Sequence, residues 1–445
     1  MKKSTFISIY LSILILSPII VSSQFINKNQ TIFENITKDK GLLNGHITDI
    51  LQDKKGYLWL STYGGLHRYD GQTFDYYLHN DSIKESLSNN SVHTTFLDSK
   101  NRLWVGSENG LSLFVPQTNN FINYNEARFS FGKNSLREII EDRDGKLWIA
   151  TYGGGIAKFD PEKEEIIKWY TLEKNLIPGN FINTIFVDSK GLIWAGLESK
   201  GLLVFDFKTE KFIQRGLTLA DKTISSIKED KNGKLWIGTW TGGLSCYDPN
   251  NETIKTFQHN SSNSKSIPDY TVRQIEIDKK NMIWLATTNG LGLFNPVTET
   301  CISFQNNKHS DASLSYNFLW SVFEDKEGII WVGTFGNGLC KLDPNKNKFD
   351  IINNQSKTCS IDFSYIDFIK TDSKGILWAS ASDGGIYAYK PSQECIIDNK
   401  IGSYFKDKKV RCLYEDKNGY YWFGCEDGII RSTADFKQST FLSLK

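Results

Sequence analysis

Tyr63, Glu108, Tyr152, Glu198, Trp240, Phe335 and Glu426 each stand four residues after a tryptophan. Aromatic faces stack on the C–H faces of sugar rings and carboxylates accept hydroxyl hydrogen bonds, so this mixture suits an oligosaccharide. The glutamates allow a second chemistry. A pair drawn from Glu108, Glu198 and Glu426 could hydrolyse a glycosidic bond if its carboxyls stood ~5.5 Å or ~6.5–9.5 Å apart. Little else supports an enzyme. There is no GxSxG or HExxH, and the six histidines (46, 67, 79, 93, 259 and 309) show no cluster in the sequence. Asp142-Arg143-Asp144-Gly145 begins like a calcium loop, but Lys146, Leu147 and Trp148 supply no further side-chain oxygen. The expectation is a binding protein without enzyme activity, metal or cofactor.

These positions are set by a repeated phrase. Nine tryptophans (Trp59, Trp104, Trp148, Trp194, Trp236, Trp284, Trp331, Trp378 and Trp422) each follow an aspartate by six residues, at intervals of 42 to 48 residues. The residue two after each tryptophan is Gly, Ala or Ser, and an aliphatic precedes each aspartate by six. The fourth position of the Asp-x-x-Gly turn is Gly in seven copies and Asn in two (Asn101 and Asn281), the residues that best tolerate a left-handed backbone. The aspartate can bond the turn's own amides, which makes it structural. Strand, Asp turn, Trp strand, glycine turn, third strand and outer strand in ~45 residues spell a β-propeller blade. The tryptophans are predicted to be structural, filling the wedge between blades, with the small residue allowing the next blade to approach. The Asp turns lie on one face. The Trp+4 residues lie on the other, with links between blades that add Asn44, His46, Asn90, His93, Asn180, Asp269, Tyr270 and Asn317 as candidates.

Nine repeats exceed the usual four to eight blades. A tenth outer-strand position, Phe33, precedes the first repeat, and positions such as Phe349, Ile396 and Phe441 follow later ones. One arrangement is a seven-bladed propeller over 24–348, in which Phe33 completes the blade begun by Leu319–Asp343, with two further blades over 349–445. The alternative is one nine-bladed ring in which Phe33 and Phe441 compete for an edge.

The chain balances 52 basic against 51 acidic residues, for a net charge of +1, which argues against a nucleic-acid partner. Residues 1–23 read as a signal peptide: a basic start at Lys2-Lys3, an apolar core from Phe6 to Leu16, and small residues before a cut near Ser23. No later stretch is long and apolar enough to span a membrane, so the mature chain is expected to be exported to the periplasm. All seven cysteines fall between Cys246 and Cys425, and the odd count leaves at least one unpaired.

The pattern I/V-x-x-I-x-x-D-x-x-G-x-L-W-x-G-T-x-x-G-G-L-x-x-Y-D, as in Ile224 to Asp248, resembles the two-component regulator propeller repeat. The resemblance runs from about Phe33 to Lys445. It implies the periplasmic sensor region of a hybrid two-component system, in which two seven-bladed propellers precede an immunoglobulin-like domain, a membrane helix and a cytoplasmic kinase. It further implies oligosaccharide detection. The family's motif fixes no ligand residues. Nothing after the ninth repeat resembles an output domain, so a sensor lacking its own output is expected, acting with a homodimer mate or a sensor-kinase partner. The alternatives are a protein-interaction scaffold and, further off, a propeller lyase or glycosidase.

Overall fold

The computed structural model describes residues 31–125, 129, 131, 134–344, 365–381, 385–389, 405, 408–433 and 438–443. The proposed signal peptide, the outer-strand positions Phe349 and Ile396, and Ser382 at a Trp+4 position lie outside them. The chain divides into two compact units, residues 1–348 and 349–445. All the sheets are antiparallel. Among the described residues, eight have four strands and one has three, and helix is confined to a single 3-10 turn at Lys38–Lys40 and to Phe405.

The first unit holds seven of these sheets, here blades 1 to 7. Their innermost strands are Ile47–Gln52, Val92–Leu97, Ser135–Glu141, Ile182–Val187, Ile224–Glu229, Val272–Ile277 and Leu319–Glu324. Each packs on the innermost strand of the next blade, and Leu319–Glu324 packs back on Ile47–Gln52, which closes a ring. The N-terminal strand Phe33–Ile36 forms the outer edge of blade 7, pairing Phe33 with Leu342 and Ile36 with Leu339. Two apolar side chains anchor it, Phe33 at 4% and Ile36 at 2% exposure.

The same physics holds every blade to its successor. One carboxylate oxygen of each repeat aspartate caps turn amides, as Asp188 Oδ1 does for Lys190 N at 3.0 Å and Leu192 N at 2.8 Å. The other accepts the indole N–H of the tryptophan six residues on, at 2.7–3.0 Å in all nine copies. The fourth turn residue is left-handed throughout, Asn101 and Asn281 included at φ 63°. The indole then reaches forward. Trp148 clusters with Ile182, Ile185 and Phe205 of blade 4, and Trp331 with Ile47, Ile50 and Leu60 of blade 1. A Cβ on Gly196 would stand 2.5 Å from Ile224 of the next blade, so the small residue is a steric requirement there. Eight of the nine tryptophans are buried, while Trp422, in the last sheet of its unit, is half-buried. A further staple joins blades beside the Asp turns: Glu141 accepts from Ser99 at 2.6 and 2.8 Å, and Glu229 from Ser189 at 2.7 and 2.9 Å.

The second unit contains sheets whose innermost strands are Ile366–Thr371 and Val410–Glu415. Trp378, Phe405, Leu413, Tyr421 and Phe423 form its core. The five cysteines described across both units, Cys246, Cys301, Cys340, Cys412 and Cys425, are free thiols.

Candidate functional site at the mouth of the ring

Each innermost strand carries a β-bulge immediately after its opening aliphatic, where the pairing skips one residue, as between Ile47 and Asp49 or Val272 and Gln274. The skipped residues in the ring are Thr48, His93, Arg137, Asn183, Ser225, Arg273 and Trp320. A bulge re-aims its side chain out of the pleat. Short polar ones cap the next blade: Thr48 donates to Val92 O at 2.8 Å, Asn183 to Ile224 O at 2.9 Å, and Ser225 to Val272 O. The large ones turn instead to the Trp+4 residues.

The Trp+4 residue is fixed beside this bulge by its own backbone. Glu108 N donates to Ser91 O at 2.9 Å, Trp240 N to Thr223 O at 3.1 Å and Phe335 N to Phe318 O at 2.9 Å. Side chains of neighbouring blades consequently meet at one end of the ring. The guanidinium of Arg273 lies between two indoles, 4.3 Å from the Trp240 ring centroid and 3.8 Å from that of Trp320. Trp320 also contacts Phe335 at 5.4 Å and Tyr63 at 6.2 Å. Tyr63 lies between His46 and His93, at 5.5 and 5.6 Å, so two histidines distant in sequence share one tyrosine. His93 Nε2 is 2.8 Å from Glu108 Oε2, Arg137 covers the Tyr152 ring at 4.9 Å, and the Tyr152 hydroxyl donates to Glu198 at 2.6 Å.

Six of the seven candidate residues, Tyr63, Glu108, Tyr152, Glu198, Trp240 and Phe335, thus occupy this mouth. Glu426 belongs to the second unit, where it pairs with Arg411, the bulge residue of its own sheet. Thr288, the Trp+4 residue of blade 6, bonds Asp269 instead. The bulge residues Arg137, Arg273 and Trp320 were not among the residues singled out from the sequence.

Electrostatics fix the protonation states. Burial, aided by the nearby Arg137 charge, pushes the pKa of His93 down to about 4 against the opposing pull of Glu108, so its bond to Glu108 is one between a neutral imidazole and a carboxylate at neutral pH. Burial alone would raise Glu108, yet the hydrogen bond from His93 and the Arg137 charge help hold it below the usual carboxylate range. Burial lowers Arg273 to about 10, which still leaves it a cation.

Deeper along the axis stand Asp49, Glu138, Lys228 and Glu276. Asp49 accepts from Thr95 N at 2.8 Å and Glu138 from Ile185 N at 2.8 Å, while Lys228 pairs with Glu276 at 3.6 Å. Burial raises all three carboxylates, and the charges of Glu276, Glu138 and Asp49 raise Lys228 despite its own burial. A separate groove of about 460 Å³ lies between blades 5 and 6, lined by Trp236, Cys246 and Phe257 among others, and contains no Trp+4 residue. Its lysines are engaged, Lys255 with Glu299 at 2.6 Å and Lys234 with Asp248 at 3.8 Å. Among the described residues no group of three His, Cys, Asp or Glu side chains could hold a metal ion, and no helix is long and apolar enough to cross a membrane.

Known proteins agree with this architecture. The family described as two component regulator propeller matches residues 41–64, 86–109, 130–153, 218–241, 313–336 and 404–427. A histidine kinase of Formosa agariphila, histidine kinase P4, is 30% identical over 253 residues, which is 55% of this chain and 18% of that protein. The extracellular domain of a putative hybrid two-component system from B. thetaiotaomicron superimposes with a TM-score of 0.77 at 22% identity, over 93% of this chain and 55% of that one. Virginiamycin B lyase from Staphylococcus aureus shares the fold more distantly, with a TM-score of 0.54 at 13% identity over 70% of this chain and 99% of its own. The chain therefore spans about half the length of the first structure and under a fifth of the kinase.

Proposed function

We propose that this chain, which is built of two-component regulator propeller repeats, is the extracytoplasmic ligand-sensing module of a two-component regulatory system and binds an oligosaccharide at the mouth of its ring. One observation carries the reading: successive blades present aromatic rings and carboxylates at a single mouth, with Trp240 still 42% exposed. Stacking surface and hydroxyl acceptors are what a sugar ring requires. No bond is broken. Glu108 and Glu198 are engaged by His93 and Tyr152, which suits fixed acceptors better than an acid and its partner base. Export to the periplasm through a signal peptide at residues 1–23 places the mouth where glycans arrive. The signal passes onward through a homodimer or a sensor-kinase partner.

Residues 24–348 form the seven-bladed propeller in this reading, and 349–445 contribute two blades of a second one. Ile366 and Ile369 support the second assignment, being 53% and 60% exposed where their counterparts Ile47 and Ile50 are at 0% and 4%. Such a surface calls for a preceding blade. A protein-interaction scaffold is the second reading, favoured by Phe181 and Tyr270, which stand exposed on the links between blades at 49% and 45%.

The test is a thermal-shift screen of residues 24–445 against plant and host oligosaccharides. A ligand at 100 times its Kd adds about 2.7 kcal/mol to the native state. Stabilisation by one glycan class, recovered intact, is the expected result. Cleavage of that glycan would replace the sensor with a lyase or glycosidase, and silence across the panel would favour the scaffold.

A further inference from the structure

Arg273 is unusual among the cations of the ring. Several other partly buried cations of the ring are matched: Lys228 pairs with Glu276, Arg102 with Asp98 and Glu162, and Lys146 with Asp160. Arg273 has no carboxylate within ion-pairing distance and no side-chain hydrogen bond among the described residues, although burial has already stripped much of its water. Its Cζ lies over the rings of both Trp240 and Trp320. Stacking satisfies the π faces of a guanidinium, but its five N–H donors lie in the plane and need acceptors. Arg137, three blades back in the ring, is in a similar condition. It lies over Tyr152 without an ion-pair partner, and its Nε is buried with no acceptor. The two carboxylates of the same mouth are turned to other donors, Glu108 to His93 and Glu198 to Tyr152.

We infer that the oligosaccharide bound at this mouth is acidic, with a carboxylate or sulfate group seated on the Arg273 guanidinium between Trp240 and Trp320 and assisted by Arg137. The inference rests on the oligosaccharide reading and narrows it to a chemical class. Planar, in-register donors match either anion. The indoles exclude water from the contact and offer stacking area to the ring that carries the anionic group. Neutral sugars would leave the guanidinium edge facing hydroxyls alone, a weaker bond for a partly desolvated cation.

Isothermal titration of the chain 24–445 separates the possibilities with matched probes: oligogalacturonates and oligomannuronates, their methyl esters, and a sulfated oligosaccharide with its desulfated form. The expected result is binding of one acidic probe, with its neutral partner at least about 10-fold weaker. The Arg273→Gln variant should bind that probe about 10-fold to 100-fold more weakly, while Arg273→Lys recovers part of the loss. A melting temperature for each variant guards against unfolding. Arg137→Gln provides a second variant that leaves the indole sandwich intact, and it too should weaken the acidic probe. Preference for the carboxylate over the sulfate probe, or the reverse, identifies which anion is read. Equal binding of an acid and its methyl ester, unaffected in Arg273→Gln, would overturn the inference and leave the oligosaccharide reading standing. Binding of no sugar at all, acidic or neutral, would remove both.

Discussion

Trp236 and Trp240 are four residues apart in one blade, and replacing each with alanine should give opposite phenotypes. Trp236 is 3% exposed, donates to Asp230 at 3.0 Å, and packs on Val272, Ile275 and Phe294 of the next blade. Its truncation opens a cavity and orphans a carboxylate oxygen, which should cost about 3–5 kcal/mol. Trp240 is 42% exposed and its described ring contact is the Arg273 face. Losing that contact costs about 0.5–2 kcal/mol. At ~2.1 cal/mol/K per residue, a unit of this size has an unfolding entropy near 0.7 kcal/mol/K, so Trp236→Ala should lower Tm by about 4–7 °C and Trp240→Ala by about 1–3 °C. Calorimetry gives both values, and titration with the best glycan of the screen gives the other half. Trp240→Ala should lose at least about tenfold in affinity, whereas the folded fraction of Trp236→Ala should bind normally. A Trp240→Ala protein as unstable as Trp236→Ala would show that the exposed indole is core, and the division between scaffold and site would fail.

Removing the closing strand, by starting the chain at Thr37, strips blade 7 of Phe33 and Ile36. It should cost about 3–6 kcal/mol and expose a sheet edge, so light scattering should detect association that the intact chain lacks. Asp188→Ala removes the caps of two turn amides and the acceptor of the buried Trp194 indole; urea titration should register a loss of about 2–4 kcal/mol. His67 is fully buried and its pKa is held down to about 4 by burial. The folded value lies below the unfolded 6.5, so the unfolded chain takes the proton first on acidification. Stability is then whole above pH 6.5 and declines towards pH 4, by about 3 kcal/mol for this residue. In His67→Gln, urea titrations across that window should show a pH slope shallower by one proton.

The repeated features were legible because the same physics is written nine times. Asp53 to Asp416 recur because each must cap a turn, and the residue two after each tryptophan stays small because a neighbour's strand passes within van der Waals contact. What escaped was whatever does not repeat. The bulge position reads Thr, His, Arg, Asn, Ser, Arg, Trp around the ring, and no motif search finds a column without a consensus. Aligning the repeats and asking which columns vary does recover it, since neither the bulge nor the Trp+4 column has one side-chain duty common to all blades. The indole bond to the repeat aspartate was also hidden. A spacing of six says nothing of direction until the turn brings Oδ2 beneath the Trp strand. Glu108 and Glu198 show the remaining limit: spacing placed both on one face, but their partners, His93 and Tyr152, depended on the bulge and on contact between blades.

Hydrogen–deuterium exchange of the chain 24–445, with and without a saturating glycan from the screen, tests the central claim most directly. Protection should appear at the turns around 151–155 and 239–243 and at the starts of the strands carrying Arg137, Arg273 and Trp320. The Asp turns on the opposite face, such as 230–234, should be unchanged. Protection centred on the Asp turns, or on the groove between blades 5 and 6, would place the ligand elsewhere and contradict the account.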